Sequence, residues 1–118
     1  MKKILFSILV MSLSLAVSAQ QSWTNDPAHS RLGFVVKHLG IAKISGYFSD
    51  FSVKVITTKA DYSDMKVTVT AKTTSINTGV EMRDNHLRSA DFFEVEKYPE
   101  LTFVSTSTKK VSDTKFTL

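Results

Sequence analysis

Alternation of apolar and polar residues is the feature that most constrains how this chain can fold. From Arg31 to His38 apolar side chains occupy every second position, and the segment from Met65 to Ile76 repeats the pattern. A period of two places alternate side chains on opposite faces of a β-strand, so both segments are predicted to be half-buried strands. The face that begins at Leu32 is predicted to be buried and to end in His38.

A second β-rich segment, residues 44–56, changes its parity part of the way along. Apolar residues occupy even positions up to Phe48 and odd positions from Phe51 onward. This change predicts either a bulge or the meeting of two strands near Ser49 and Asp50. Further strands follow later in the chain. Their hairpin-like spacing, without a βαβ rhythm, indicates an antiparallel, all-β fold built as a barrel or a sandwich.

One stretch departs from the strand pattern. Residues 80–90 contain no proline, no glycine and only one β-branched residue, so a short inserted helix is predicted there. Thr78 and Glu81 have the spacing of a capping box at its start. Asp84 and Arg88 are spaced for an ion pair between successive turns. Because so short a helix is marginal alone, it must be held by packing onto the strands.

The first residues of the chain predict its compartment. Lys2 and Lys3 precede an apolar run from Ile4 to Val17, and small residues follow that run. This arrangement is typical of a secretory signal peptide, so residues 1–19 are predicted to be cleaved off after Ala19. The rest of the chain is then periplasmic or secreted. The run is shorter than the ~20 residues of a spanning helix, so we expect no membrane span after cleavage.

Charge and composition argue against several classes of protein. The whole chain has 15 basic and 11 acidic residues; loss of two lysines with the signal peptide leaves 13 against 11, a net charge of +2. The remaining basic residues are scattered, which gives no support to a nucleic-acid partner. The chain has no cysteine, so it has neither a disulfide framework nor a cysteine for lipid attachment.

Motifs for catalysis and metal binding are weak. The three histidines are His29, His38 and His86. They lack the spacing of known zinc signatures, so no metal site is predicted. A triad of Ser30, His86 and Asp84 lacks the glycine-flanked serine of a nucleophile elbow. A hydrolase or isomerase that uses His86 with Asp84 or Arg83 is an alternative function.

Large aromatic residues predict an apolar interior. Six phenylalanines are assigned mostly to the core: Phe34, Phe48, Phe51, Phe92, Phe93 and Phe103. The inward face of a barrel can be a packed core or a ligand cavity, and about eight strands give room for one small ligand. A ligand-free barrel with a structural or interaction role is therefore a further alternative.

Six short motifs follow one another along the chain. They are DPAHS at 26–30, F-x-V-x-H at 34–38, G-x-F-x-x-F at 46–51, S-I-x-T-G at 75–79, RDNHLRSADFF at 83–93 and YPELTF at 98–103. In this order and spacing the chain resembles the YceI-like family of exported lipid-binding proteins. The resemblance implies a lipocalin-like, extended antiparallel β-barrel with a helical insertion. It also implies an elongated cavity for a polyisoprenoid or isoprenoid quinone, a periplasmic location and, in some members, a homodimer.

The resemblance also shapes the predicted domain and site. Residues 20–118 are predicted to form a YceI-like lipid-binding barrel domain whose C-terminal strands are missing, since family domains extend beyond Leu118. The predicted function is non-enzymatic carriage of an amphipathic isoprenoid lipid or quinone-like molecule, with no other cofactor. The residues predicted to line the tail channel are Phe34, Val36, Phe48, Val67, Val69, Leu101 and Phe103. The residues predicted for the polar end are His38, Arg83 and His86.

Overall fold

The structure, a computed structural model, describes residues 19–118; positions 1–18 of the predicted signal peptide lie outside the described residues. Within residues 19–118 strands dominate, with one α-helix inserted after the sixth strand, and this confirms the predicted fold class. The strands are β1 (Gln21–Thr24), β2 (Leu32–His38), β3 (Ala42–Phe48), β4 (Phe51–Thr57), β5 (Lys66–Lys72), β6 (Ile76–Asn77), β7 (Glu100–Val104), β8 (Lys109–Ser112) and β9 (Lys115–Thr117). The helix α1 spans Glu81–Arg88, and a one-turn 3-10 helix, Thr73–Ser75, joins β5 to β6.

Three antiparallel sheets contain the described strands. The largest has the order β1-β4-β5-β7, the second has the order β2-β3-β6, and β8 pairs with β9 in a hairpin. Each of these pairings is antiparallel, as the hairpin-like spacing predicts. Strands β3 and β4 follow one another along the chain but belong to different sheets. The junction between them therefore determines how the two larger sheets meet.

That junction lies between Phe48 and Phe51, where the parity of the sequence changes. Phe48 pairs with Ile76 of β6, and Phe51 pairs with Ala71 of β5. Two residues separate the phenylalanines, whereas four separate their partners. The longer side forms the 3-10 helix, whose Ser75 hydroxyl accepts a hydrogen bond from the β3–β4 turn at 3.1 Å. Of the two predicted alternatives, the meeting of two strands is the one observed.

The buried centre is small and lies where this bend meets the helix. Phe48 is 6% exposed, and Ala71 and Ile76 are each 1% exposed. The Phe48 ring lies 5.7 Å from Phe34 and 5.8 Å, edge to face, from Phe93. Other partly buried side chains that pack against this centre are Leu32, Phe51 and Leu87. Because edge-to-face aromatic pairs add to the energy of buried area, these rings stabilise the bend.

Four predictions of burial are wrong. Val36, on the β2 face predicted to be buried, is 49% exposed. Phe92 is 58% exposed and Phe103 is 44% exposed, although both were assigned to the core. Phe103 lies on β7, an outer strand of its sheet, so it has a neighbouring strand on one side only. His38 is exposed as well. It forms the last pair of the β2–β3 hairpin, opposite Ala42, where the third strand of the sheet does not reach.

The side chain of Asp64 organises the connection between β4 and β5. Its carboxylate accepts hydrogen bonds from the hydroxyl groups of Thr57 and Thr58 and from the backbone amides of Thr58 and Lys59. These bonds stabilise the charged form, so they lower the pKa of Asp64 below its ordinary value, with the Thr57 hydroxyl as the main cause. They also satisfy the hydroxyl of Thr57, which is only 2% exposed.

Candidate functional site

An apolar cavity of about 720 Å³ lies beside the buried centre. Its walls come from the β2–β3 hairpin, from α1 and the segment that follows it, and from Leu101 of β7. Aromatic and aliphatic side chains supply most of the lining. A volume of this size lies within the ~300–1,000 Å³ that is typical of pockets for small-molecule ligands. The cavity is therefore the candidate binding site.

Most of the residues predicted for the ligand site meet in this cavity. The predicted residues in its lining are Phe34, Val36, His38, Phe48, Arg83, His86 and Leu101. They come from β2, β3, α1 and β7, which are distant in sequence. The remaining three, Val67, Val69 and Phe103, lie outside the cavity. The structure thus brings seven of the ten predicted positions together.

Register explains why the other three positions are separate. Val69 pairs with Phe103, and Ala71 pairs with Leu101, on the two strands β5 and β7. Two residues along a strand correspond to about 7 Å, so Phe103 lies roughly that far beyond Leu101. Val67 is two residues further along β5 in the same direction and is 8% exposed. Val67, Val69 and Phe103 therefore lie on the same strand faces as Ala71 and Leu101, but beyond the end of the cavity.

Several lining residues were not predicted for the site. They are Lys37, Ile44, Ile76, Thr78, Leu87, Phe92 and Phe93. Ile44 shares the parity of Phe48, so alternation offered a signal that could have identified it. Lys37 has the opposite parity to Val36 and lies on β2, the outer strand of its sheet. Its contribution depends on the shape of that sheet edge, which the sequence pattern does not encode.

A glycine allows the floor of the cavity to pack closely. Phe34 pairs with Gly46 across β2 and β3, and its ring lies over the glycine. A Cβ atom at Gly46 would lie 2.4 Å from Cζ of Phe34 and 2.9 Å from Cγ2 of Thr78. Real Cβ contacts do not become so short, so a side chain at Gly46 would displace the ring. Because Gly46 has no side chain, the Phe34 ring can lie directly against the backbone of β3.

A hydrogen-bond network positions Arg83 at the cavity wall. Its Nε donates to the Thr78 hydroxyl at 2.7 Å, and its Nη2 donates to the Thr78 carbonyl at 2.9 Å. The Thr78 hydroxyl and amide in turn donate to Oδ1 of Asp84 at 2.6 and 2.9 Å. Asp84 is 6% exposed, so this carboxylate is a buried anchor. Among the hydrogen bonds of residues 19–118, none uses Nη1 of Arg83.

The start of α1 differs from the predicted capping box. Val80 is the N-cap residue and makes no side-chain capping bond, and Glu81 is exposed. Asp84 instead reaches back to Thr78, where it also lies close to the positive end of the helix dipole. The predicted ion pair of Asp84 with Arg88 is not formed either. Both predictions are wrong because Asp84 bonds to Thr78, which precedes the helix, and Arg88 bonds to the carbonyls of Thr74 and Ile76.

Arg88 attaches the helix to the strands. Its Nε donates to the Thr74 carbonyl and its Nη2 donates to the Ile76 carbonyl, each at 2.9 Å. Its Nη1 donates to Oδ1 of Asn85 at 3.0 Å. A short helix needs such attachments, since it gains little stability by itself. Arg88 therefore has a structural role, whereas Arg83 faces the cavity.

The side chain of His86 lies at the exposed side of the cavity. Its Nε2 lies 3.0 Å from Oδ2 of Asp91, and its ring meets Phe92 edge to face at 5.1 Å. The predicted enzymatic alternative paired His86 with Asp84 or Arg83, and neither pair is formed. Both of those residues bond to Thr78 instead. Ser30 borders a second, more polar depression near residues 27–31 and is not part of this cavity.

The cavity lining contains basic residues and no acidic ones. Its ionisable residues are Lys37, His38, Arg83 and His86, and none of its side chains is a carboxylic acid. Across residues 19–118, no group of three or more histidine and acidic side chains is placed to hold a metal ion. Over the same residues, no helix combines the length and apolar character needed to cross a membrane. The site thus combines an apolar wall with the basic side chains of Lys37 and Arg83.

Comparison with known sequences places the chain in a family. The sequence profile of the YceI-like domain matches residues 23–118. A UPF0312 protein of Staphylococcus aureus strain USA300 is 46% identical over 94 residues, which are 80% of this chain and 53% of that protein. Protein YceI of Escherichia coli O157:H7 is 40% identical over 108 residues, which are 92% of this chain and 56% of that protein. The chain spans about half the length of these relatives.

Solved structures give the same answer for the fold. A crystal structure of the Campylobacter jejuni YCEI protein superposes with a TM-score of 0.57 and 38% identity, over 80% of this chain and 55% of that one. BcnA of Burkholderia cenocepacia superposes with a TM-score of 0.68 over 77% of this chain and 57% of its own. BcnA is only 24% identical, so it supports the fold alone. By profile, sequence relatives and structure together, this chain belongs to the YceI-like family.

Proposed function

We propose that this chain binds a long amphipathic isoprenoid, such as a polyisoprenoid or a quinone-like lipid, and acts as a carrier without catalysing a reaction. The observation that carries the proposal is the apolar cavity of about 720 Å³ with basic groups at its rim. An apolar chain gains ~0.8 kcal/mol for each CH₂ group that leaves water. A hydrocarbon tail in this cavity therefore needs few polar contacts for affinity.

The polar end of the ligand is proposed to lie beside Arg83. Thr78 fixes two of the three guanidinium nitrogens, and Asp84 fixes Thr78. The third nitrogen, Nη1, is then presented at a defined place on the wall at a reduced entropic cost, because the side chain is already ordered. His38 and His86 also line the cavity and complete the proposed polar end.

Export and dimerisation are further parts of the proposal. The basic start and apolar run of residues 1–17 support cleavage after Ala19 and a periplasmic or secreted location. Expression of the whole chain in a Gram-negative host, followed by mass spectrometry of the periplasmic fraction, should show a product that begins at Gln20. Recovery of only the uncleaved form would contradict export. Analytical ultracentrifugation of the same product tests the homodimer.

Lipid content is the direct test of binding. The whole chain is expressed, purified without detergent and extracted with organic solvent, and the extract is examined by mass spectrometry. We expect an isoprenoid lipid in near-stoichiometric amount. A protein that carries no lipid, and that also fails to take up an added fluorescent isoprenoid, would rule out the proposed function.

A matched pair of variants on β7 tests the location of the ligand. Leu101 lines the cavity, whereas Val104 has the opposite parity on the same strand and does not line it. Both side chains are partly exposed, at 39% and 58%, so neither change removes a buried core residue. Leu101→Gln should weaken isoprenoid binding by roughly five- to tenfold, as expected for the loss of about 1 kcal/mol of apolar contact. Val104→Gln should leave binding unchanged.

The role of Arg83 can be separated from general charge. Arg83→Gln removes the cation at the cavity, and Lys54→Gln removes an exposed cation from β4, outside the cavity. We expect the first variant alone to weaken binding of an isoprenoid that has a polar head, with little effect on a plain hydrocarbon probe. His86→Ala addresses the enzymatic alternative. That alternative requires loss of turnover without loss of lipid affinity, and we expect a change in affinity only.

A further inference from the structure

The tip of the β2–β3 hairpin exposes large apolar side chains. Leu39 is 82% exposed and Ile41 is 93% exposed, and Val35 and Val36 on the adjoining strand are 64% and 49% exposed. Isolated exposed apolar residues are common on protein surfaces, whereas contiguous ones mark contact sites. Leu39 and Ile41 lie at the turn itself and form the apolar tip, whereas Val35 and Val36 lie further back on opposite faces of β2.

The backbone of the tip makes Leu39 an unusual choice. The amide of Ile41 donates to the carbonyl of His38 at 3.2 Å, which closes a tight turn. The two residues inside that turn, Leu39 and Gly40, have φ angles of +51° and +72°. Turns with positive φ at both central positions favour asparagine or aspartate followed by glycine. A leucine at the first of these positions is strained, so folding alone does not account for it.

Charge gives a second, independent observation about the same hairpin. Lys37 of β2 lies directly opposite Lys43 of β3. Like charges in facing positions of an antiparallel pair repel each other and destabilise the hairpin. No acidic residue occurs between Asp26 and Asp50, so nothing within this stretch of sequence neutralises the two lysines. The hairpin therefore combines an apolar tip with an unneutralised pair of cations just behind it.

From these features we propose that the β2–β3 hairpin docks on an anionic lipid membrane. Leu39 and Ile41 enter the interface between head groups and acyl chains, and Lys37 and Lys43 contact anionic head groups. A bilayer with anionic lipids fits both observations, because it offers negative charge at its surface and an apolar phase a few ångström deeper. It also relieves the repulsion between the two lysines.

The hairpin connects this surface to the cavity. Val36, Lys37 and His38 line the cavity wall, and the turn at Leu39 follows immediately. Docking therefore brings the cavity rim to the membrane surface, which is where an amphipathic lipid resides. The docking proposal rests on the hairpin alone and does not require a particular cavity ligand.

Co-sedimentation with vesicles tests the proposal. The whole protein is mixed with vesicles of phosphatidylcholine alone, or of phosphatidylcholine and phosphatidylglycerol in equal parts, both free of isoprenoids. We expect binding to the anionic vesicles and a decrease in that binding as salt is added, because salt screens the lysines. Lys37→Gln with Lys43→Gln should lower the partition coefficient by roughly ten- to thirtyfold at low salt. Lys54→Gln with Lys66→Gln removes the same charge elsewhere and should have little effect.

A second pair of variants tests the apolar tip. Leu39→Asn with Ile41→Ser should lower binding to anionic vesicles by at least about tenfold, since it removes the inserted apolar surface. Because asparagine suits the turn, the variant should fold as well as the original, and circular dichroism checks this. Val104→Asn with Val111→Ser, which changes exposed apolar residues elsewhere, is the control.

Two outcomes would overturn membrane docking: equal or absent binding to both kinds of vesicle, and an equal loss of binding in the control variants. Loss of vesicle binding by the tip variant, with isoprenoid uptake in solution unchanged, would support docking as a separate property. Failure of isoprenoid uptake in a protein that still binds vesicles would reject the carrier function and leave docking in place. The two proposals are thus distinguishable.

Discussion

The two ends of strand β3 share one pattern of alternation and have opposite surroundings. At its C-terminal end Gly46 and Phe48 are buried, and Phe48 pairs with Ile76 of β6. At its N-terminal end Ala42 is exposed and pairs only with His38. Strand β6 pairs with the last two residues of β3 and goes no further. The difference therefore lies in what covers the strand, since the strand itself is regular throughout.

The two ends of β3 differ in how tightly their side chains are packed. The covered end has rings, a buried carboxylate and a helix that hold one arrangement, and it forms the floor of the cavity. At the uncovered end, Ala42 and the adjoining turn residues Leu39 and Ile41 have their side chains in contact with solvent. One hairpin thus joins a packed cavity wall to an exposed apolar tip. Substitutions at the two ends should have very different effects on stability.

The largest effect is expected at the centre of the covered end. Phe48→Ala should lower the free energy of unfolding by about 3–5 kcal/mol, because it removes a buried ring and leaves a cavity. Urea denaturation followed by circular dichroism measures this change. Phe92→Ala is the matched control. Its ring is 58% exposed, so a loss below about 1 kcal/mol is expected. Equal losses in the two variants would contradict the assignment of the core.

The next effect concerns the buried carboxylate behind Arg83. Asp84→Ala leaves the amide and hydroxyl of Thr78 without their acceptor, which should cost about 2–3 kcal/mol. Denaturation measures the stability, and titration with a polar-headed isoprenoid should also show weaker binding as Arg83 becomes mobile. Asp91→Ala, which removes an exposed partner of His86, should cost less than about 1 kcal/mol. A stable Asp84→Ala variant would indicate that the network has no structural role.

A smaller effect is expected at the middle of the strand. Gly46→Ala places a methyl group against the Phe34 ring and should cost about 1–3 kcal/mol through overpacking. The ring must then move toward the cavity, so isoprenoid affinity should fall as well. Ser45→Ala, one position earlier on the opposite face, is the control. If Gly46→Ala matched that control in both measurements, the close contact of Phe34 with Gly46 would be refuted.

The smallest effect is expected at the uncovered end. Ile41→Ser should change the free energy of unfolding by less than about 0.5 kcal/mol, because its side chain is 93% exposed and leaves no cavity. Thermal unfolding in parallel with Phe48→Ala gives the comparison directly. A large loss at Ile41 would mean that the hairpin tip is covered in the folded protein. It would also count against membrane docking.

Local patterns in the sequence predicted the elements well. Alternation located most strands, the change of parity located the bend between Phe48 and Phe51, and residues 80–90 contain the helix Glu81–Arg88. Each of these features depends on the backbone geometry of neighbouring residues. The strand predicted from Met65 to Ile76 is wrong at its end, because β5 stops at Lys72 and a 3-10 helix follows. No strand was predicted before Asn25, although Gln21–Thr24 forms β1. Four residues are too few for a period to be recognised.

What the sequence by itself determined, then, is the face on which each side chain lies, because the period of a strand is a local property. Only the tertiary structure decided which of those faces are covered. Phe48 and His38 both lie on faces predicted to be buried, and only Phe48 is buried. Likewise Arg88 bonds to the carbonyls of Thr74 and Ile76 instead of Asp84. Covering and pairing depend on residues that are distant in sequence, and no local period contains that information.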